Sequence, residues 1–211
     1  MRCESILLGQ RLAALSAGPV AFVEVAGLEP VDCQRRASVR LQLAAMGELS
    51  GDMRARPDAL PFADQSVSIV VLRHVTESSR QPEILLREAA RVLARGGCLL
   101  ITGMHPCSFW HLWMLQQARL SGIYYRACTP WRIQAWLRDD HLRFEQHARF
   151  GSAFPTVEQT TVSRGPLAAC YMLHARKPSS SVTPIKLGRS RVAPAPINAS
   201  LVNTARREKA G

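Results

Sequence analysis

This sequence of 211 residues lacks paired cysteine motifs and lacks an uninterrupted apolar stretch long enough to span a membrane. The first absence argues against a disulfide-rich protein, and the second argues against a membrane-spanning one. None of the six cysteines belongs to a Cys-x-x-Cys pair, so we expect no disulfide framework and a reducing, cytoplasmic location. Residues 96–118 contain no Asp, Glu, Lys or Arg, but two adjacent glycines, a proline and two histidines interrupt them. We therefore predict no membrane-spanning helix in this stretch.

Acidic residues are also scarce, since 16 Asp and Glu stand against 27 Lys and Arg, which gives a formal net charge of +11. Such an excess favours polyanions as weak partners but does not specify a fold. Residues 178–211 carry six of the bases and one acid, together with prolines and serines. We expect them to form a mostly disordered basic tail after a single domain of residues 1–177. Nucleic acid is left open as a partner, although the tail lacks aromatic residues for base stacking.

The domain alternates strand and helix patterns. After an amphipathic helix near the start, Val20–Val25 is short, apolar and β-branched, as expected of a buried strand that ends in a turn. Val67–Leu72 is a second apolar run, and a helical stripe follows from Pro82 to Leu93. Two glycines then precede the apolar residues Cys98–Thr102. These last three segments predict a strand–helix–strand unit with a right-handed parallel crossover.

Other elements are predicted from weaker patterns. The predicted helices are Val31–Arg36, Phe109–Leu120 and Trp131–Leu137, and the predicted strands are Val39–Leu43, Met53–Ala55, Leu142–His147 and Leu167–Ala175. Leu41–Met46 also fits a helix, and a segment near Val182–Lys186 could pack on the domain.

A set of short motifs at matching intervals covers residues 59–104. They are Leu60-Pro61-Phe62-x-Asp64-x-Ser66-Val67, a strand that ends at His74, then Pro82, Leu86-x-Glu88-x-x-Arg91-Val92-Leu93, and Gly96-Gly97. Together they resemble the class I S-adenosylmethionine-dependent methyltransferases, and most closely the small type 11 domain. The resemblance implies an α/β fold, a three-layer, doubly wound, mostly parallel sheet of seven strands. It also implies S-adenosyl-L-methionine as cofactor, bound over the carboxyl ends of the first strands, where open parallel sheets place ligands.

The first half of the chain departs from the family pattern. The family's first loop reads acid-x-Gly-x-Gly-x-Gly, whereas this sequence keeps Glu24 and Gly27 but has Ala26 and Glu29 where glycines are usual. Glycine there lets the backbone approach a ligand closely. No acid for the ribose hydroxyl groups ends the second strand, and Glu48 is the nearest candidate.

The adenine contact is altered as well. The family often has Asp-Ala ahead of Leu-Pro-Phe, but Arg56 and Pro57 occupy those positions. The Arg56 side chain has no hydrogen-bond acceptor for the adenine amino group, and Pro57 has no backbone N–H to donate. Asp58 and Ala59 could substitute after a two-residue shift of the loop.

The resemblance predicts a set of cofactor-binding residues, some of which also have an ordinary structural interpretation. They are Glu24, Ala26, Gly27, Glu48, Asp58, Ala59, Leu60, Arg73 and His74. Glu24 could instead be a charge at a strand end, Gly27 a plain turn, and His74 a packed histidine. Arg73 could meet a carboxylate. No catalytic residue is predicted, because methyl transfer from a sulfonium is an in-line displacement that depends mainly on alignment.

The sequence thus predicts a methyltransferase with an unidentified acceptor. The alternative is a non-catalytic binding or regulatory protein that keeps the fold and has lost the donor site, and it rests on the altered first-half residues. A metal site is not predicted, because His105, Cys107 and His111 lack a fourth ligand at a supporting spacing.

Overall fold

A computed structural model describes residues 2–15, 17–33, 36–44, 47–151 and 168–179 of the chain. The predicted basic tail, apart from its first two residues, and the predicted packed segment near Val182–Lys186 lie outside the described residues.

The described residues form five helices and seven strands. In chain order they are α1 (Arg2–Ala14), β1 (Val20–Val25), β2 (Ser38–Leu43), β3 (Leu49–Gly51), β4 (Val67–Arg73), α2 (Val75–Ser78), α3 (Pro82–Val92), β5 (Leu93–Met104), α4 (Phe109–Ser121), α5 (Pro130–Trp136), β6 (Arg143–Phe150) and β7 (Cys170–Arg176). None of these helices combines the length and the apolar character that crossing a membrane would require.

The strands form one sheet in the order β3-β2-β1-β4-β5-β7-β6. Strands β2, β1, β4 and β5 are parallel neighbours, and β6 runs the same way because it pairs antiparallel with β7, which pairs antiparallel with β5. Strand β3 runs antiparallel to β2. The chain builds outward from β1 through β2 and β3, then crosses back to start the other half at β4. The predicted doubly wound, mostly parallel sheet of seven strands is confirmed.

Both faces of the sheet are covered, because side chains alternate between the faces along each strand. In β1, Ala21 and Val23 pack in a cluster with α3, whereas Val20 and Phe22 pack in a second cluster. The second cluster contains Leu8 of α1. The buried runs of β1, β4 and β5 therefore lie between two helical layers, which is why they lack the polar alternation of a half-exposed strand.

The predicted strand–helix–strand unit is confirmed as β4, α3 and β5. The helix predicted at Val31–Arg36 is wrong for the described part of that segment, which has no helical residue. Arginine side chains hold its backbone in another conformation, because Arg40 Nη2 donates to the carbonyl oxygen of Val31 at 2.8 Å. Arg73 Nη1 likewise donates to the carbonyl oxygen of Glu29 at 2.9 Å.

The strand predicted at Met53–Ala55 is also wrong, and β3 lies at Leu49–Gly51 instead. Burial explains the difference, since Leu49 is 1% exposed and packs in the core, whereas Met53 is 42% exposed in the turn that follows. Ala55 takes part only in an isolated bridge with Leu49.

Candidate functional site at the carboxyl edge of the sheet

Three neighbouring strands end side by side at one edge of the sheet. In register, Glu24 of β1 lies beside Arg73 of β4, and Arg73 lies beside Thr102 of β5. The chain changes sides of the sheet between β1 and β4, so this edge is a topological switch point. Open parallel sheets commonly bind ligands in the crevice at such a point.

Arg73 is fully buried and joins three parts of the chain. Its Nη1 donates to Glu24 Oε2 at 2.8 Å and to the carbonyl oxygen of Glu29 at 2.9 Å. Its Nη2 lies 3.5 Å from Glu4 Oε2 and 3.4 Å from Ser5 Oγ, both on α1. The guanidinium group therefore links the end of β1, the loop that follows β1, and the first helix.

His74 follows Arg73 in the left-handed conformation, with φ 55°. Its Nδ1 is 2.7 Å from Glu77 Oε1, and its Nε2 is 3.3 Å from Glu4 Oε2. Burial alone would lower the pKa of His74, but the charges of Glu4 and Glu77 and their hydrogen bonds raise that pKa to about 10. At neutral pH the ring is an imidazolium whose two nitrogens both donate, so His74 cannot accept a proton as a base.

Glu4 is the acidic partner that α1 contributes, and its carboxyl group is 2% exposed. Burial alone would raise the pKa of Glu4, but His74, Arg73 and a hydrogen bond from Thr102 lower it to about 2. The Thr102 hydroxyl group donates to Glu4 Oε1 at 2.6 Å. Glu4 is therefore a carboxylate throughout the neutral range.

We call the buried group of Glu4, Glu24, Arg73, His74 and Glu77 the edge cluster. Each of its five residues is at most 6% exposed. Glu77 completes its hydrogen bonds with the backbone N–H of Met104 at 2.9 Å and the hydroxyl group of Thr76, also at 2.9 Å. Taking three carboxylates and two cations out of water is costly, so the cluster is stable only while every charge keeps its partners.

The described residues form a small cavity beside the edge cluster. A cavity lined by Glu4 and Trp110 has a volume of about 20 Å³, which is roughly the room of one water molecule. A wider groove of about 550 Å³ lies between α1 and the loop after β1, and no member of the edge cluster lines it. Ligand pockets for molecules of nucleoside size measure at least about 300 Å³. The cavity that the described residues form beside Glu4 is therefore too small for S-adenosylmethionine.

Three of the residues predicted to bind a cofactor meet at this edge, namely Glu24, Arg73 and His74. Ala26 and Gly27 lie in the exposed loop after β1. Gly27 has φ 84° and open space around the position of a Cβ atom, so its geometry is that of a turn.

The remaining predicted residues lie elsewhere. Glu48 is exposed in the turn between β2 and β3, and Asp58 forms an exposed ion pair with Arg56 at 2.7 Å. Ala59 is exposed, while Leu60 is buried and its backbone N–H donates to Glu88 Oε2 at 3.0 Å. The cofactor roles of all nine residues stay predictions.

Glu4 and Glu77 are site residues that the sequence analysis missed. A signal for Glu4 was present, because it is a single acid beside Cys3 and Leu7 on the apolar side of the first helix. Glu77 lies three residues after His74, a spacing that brings side chains together on a helical turn. Neither signal points to a ligand without the structure.

The histidines near the end of β5 form no metal site. His105 Nδ1 accepts from the backbone N–H of Cys107 at 3.1 Å, and His111 Nδ1 is 3.1 Å from the hydroxyl group of Tyr125. Within the described residues, no group of three His, Cys, Asp or Glu side chains could hold a metal ion.

Comparisons with known proteins agree with the topology. Residues 14–101 match the methyltransferase domain family. Over 83 residues the chain is 40% identical to YafS of Escherichia coli (strain K12), an uncharacterized protein, and the match covers 39% of this chain. The chain thus spans only 34% of the length of the curated relative that it matches.

Solved structures extend the likeness to most of the chain. A SAM-dependent methyltransferase of Thermotoga maritima, described as a possible histamine N-methyltransferase, is 17% identical, with a TM-score of 0.57 over 83% of this chain and 89% of that chain. Over residues 14–101 the chain is similar to the methyltransferase domain family, and over most of its length it has the fold of this solved structure. A complex of the Haloferax volcanii Trm112 activator with a methyltransferase includes a chain that is similar to this one at 14% identity and TM-score 0.57, over 84% of this chain and 93% of that chain. At these identities the structural likeness concerns the fold.

Gly103, which lies in β5, offers a test of packing beside the edge cluster. A Cβ atom there would lie 2.5 Å from the hydroxyl oxygen of Tyr171 and 2.9 Å from Glu77 Oε2. We expect Gly103→Ala to lower the free energy of unfolding by about 1–3 kcal/mol, because the buried neighbours must shift. Gly9→Ala in α1 is the control, since only one atom lies near its added Cβ, at 3.8 Å. It should raise stability by about 0.5–1 kcal/mol. Equal urea midpoints for the two variants would contradict this packing.

Proposed function

We propose that the chain is an S-adenosylmethionine-dependent methyltransferase with an unidentified acceptor. The observation that carries the proposal is the sheet order β3-β2-β1-β4-β5-β7-β6 in a chain whose residues 14–101 match methyltransferase domains. Glu24 supports it further, because it lies at the end of β1 where the family has an acid. A cytoplasmic location belongs to the same proposal and is supported by the sequence, in which no cysteine belongs to a Cys-x-x-Cys pair.

Donor binding at this edge requires α1 to separate from the strand ends. Separation breaks the 2.6 Å hydrogen bond between Thr102 and Glu4 and the 3.3 Å ion pair between His74 and Glu4. It also breaks the longer contacts of α1 with Arg73 at 3.5 Å and 3.4 Å. The ion pair between Arg73 and Glu24, at 2.8 Å, can remain because it does not involve the helix. The free energy of separation is subtracted from the binding free energy, so we expect a weak apparent donor affinity.

A second candidate function has support of its own. Arg73 and Arg40 face the two carboxylate oxygens of Glu24 at 2.8 Å and 3.5 Å. The negative charge of Glu24 is therefore already balanced by arginines without a ligand. Ala26 and Glu29 also stand where the family has glycines. These features favour a binding or regulatory protein that keeps the fold without the methyl donor.

Calorimetric titration of the full chain with S-adenosylmethionine and S-adenosylhomocysteine separates the two candidates. The methyltransferase proposal predicts saturable heat with both nucleosides, and Glu24→Gln should weaken binding about tenfold by removing a charged acceptor. Asp139→Asn is the control, because Asp139 is exposed and remote from the edge and its variant loses the same charge. This control variant should bind like the unmodified chain.

The opposite result is equally clear. If a chain that unfolds cooperatively gives no heat with either nucleoside at high micromolar concentration, the methyltransferase proposal fails and the non-catalytic candidate stands. Equal weakening by Glu24→Gln and Asp139→Asn would show that binding does not occur at the strand ends.

A further inference from the structure

A second cavity lies beyond α2, between the start of α3 and the segment that connects α4 to α5. Its volume is about 290 Å³. Its wall contains three arginines and two aromatic residues, namely Arg80, Arg126, Arg132, Tyr124 and Trp136. This size and this mixture of cationic and aromatic side chains are typical of a site for a small organic molecule.

The three arginines carry charge that the protein leaves uncompensated. Within the described residues, no carboxylate oxygen pairs within 4 Å with the guanidinium groups of Arg80, Arg126 or Arg132. The one carboxylate in the wall, Glu83, is already paired with Arg87 at 2.8 Å. Three cations around one concave surface repel each other, and an anion in the cavity would relieve that repulsion.

Aromatic rings hold two of these guanidinium groups in place. Arg80 lies over the ring of Tyr124 at 5.7 Å from its centroid, and Arg132 lies over the ring of Trp136 at 4.8 Å. Such contacts orient the planar guanidinium groups, whose paired N–H donors match a phosphate or a carboxylate. The rings also supply an apolar wall for a flat part of a ligand.

We propose that this cavity binds a small organic anion, with its phosphate or carboxylate group on the arginines and a planar apolar part against Trp136 and Tyr124. The inference goes beyond the proposed function, since it holds whether or not the methyl donor binds. The cavity adjoins the edge cluster through Thr76, whose hydroxyl group donates to Glu77, and through Arg126, whose backbone N–H donates to the carbonyl oxygen of Glu77 at 2.8 Å. Arg73 is not among the residues that line it.

Calorimetric titration of the full chain with phenyl phosphate, without any nucleoside, tests this inference. Phenyl phosphate combines a dianion with a flat ring, and we expect saturable binding with one molecule per chain. Inorganic phosphate lacks the ring and benzyl alcohol lacks the charge, so each should bind at least about tenfold more weakly. This pattern would separate a built site from general attraction to a basic protein.

The matched single variants are Arg132→Gln in the cavity wall and Arg138→Gln outside it, and a double variant combines Arg126→Gln with Arg132→Gln. Arg126, Arg132 and Arg138 are all exposed, so the variants should unfold at nearly the same temperature as the unmodified chain. The pair of wall substitutions should weaken phenyl phosphate binding by about tenfold or more, since each charged hydrogen bond is worth about that factor. Arg138→Gln, outside the wall, should change it by less than about twofold.

Two results would overturn the inference. One is the absence of saturable heat with phenyl phosphate in a correctly folded chain. The other is equal loss of affinity in Arg132→Gln and Arg138→Gln, because the attraction would then follow net charge and not the cavity.

Discussion

Replacing Arg73 with methionine should lower the free energy of unfolding by about 3–5 kcal/mol or prevent folding altogether. The substitution keeps a long apolar side chain but removes the cation that faces Glu24 at 2.8 Å and Glu4 at 3.5 Å. Both carboxylates would stay buried with one partner fewer. Breaking one side of a buried ion pair costs far more than the pair contributes, because the remaining charge is left in a low-dielectric environment.

Urea denaturation of Arg73→Met, Glu24→Gln and the double variant measures this effect. The double variant should lose less stability than the two single losses together, since neutralising Glu24 relieves the stranded charge. Arg87→Met is the control, because the ion pair of Arg87 with Glu83 is exposed, with side chains 57% and 42% accessible. It should cost no more than about 0.5 kcal/mol. Similar losses for Arg73→Met and Arg87→Met would show that the edge cluster is not a buried charge network.

The central part of the fold was predictable from sequence because its signals are local. The apolar run of β4 and the helical stripe of α3 each fit one periodicity over at least seven residues. The conformation of the segment after β1 was not predictable in this way. It depends on Arg40 and Arg73, whose donors reach the carbonyl oxygens of Val31 and Glu29 from other strands.

The candidate site, like the fold, was predictable from the sequence only where its signals are local. Position on a strand end identified Glu24 and His74 as site residues, since a motif specifies where a strand stops. The charge state of His74 could not be predicted, because it depends on Glu4, which is 70 residues away in sequence. A histidine at a strand end has the same sequence pattern whether it is an imidazolium between two carboxylates or a neutral imidazole beside a ligand. Only the position of α1 distinguishes the two cases.

The stability of the domain should be greatest near pH 5–7 and should fall by several kcal/mol as the pH rises toward 10. The folded-state pKa of His74 is raised from 6.5 to about 10, so its contribution is complete below pH 6.5 and is lost as the pH rises through that range. The pKa of Glu4 is lowered from 4.5 to about 2, so its contribution is complete above pH 4.5 and is lost in acid. Burial lowers the pKa of His111 and His174, and these groups add to the loss of stability on the acid side.

Urea midpoints measured from pH 5 to pH 9 test the alkaline limb, and His74→Gln is the decisive variant. Glutamine can still hydrogen-bond to Glu77 but cannot carry the charge, so the variant should be less stable at pH 6 and should show little change between pH 6 and pH 9. His141→Gln is the matched control, because His141 is an exposed histidine that also has a left-handed backbone, with φ 56°. The His141→Gln variant should keep the decline in stability between pH 6 and pH 9. If the stability of His74→Gln declines as steeply between pH 6 and pH 9, the alkaline loss of stability belongs to other groups. His74 would then not be a buried imidazolium, and its charge would not help Glu4 to hold α1 over the strand ends.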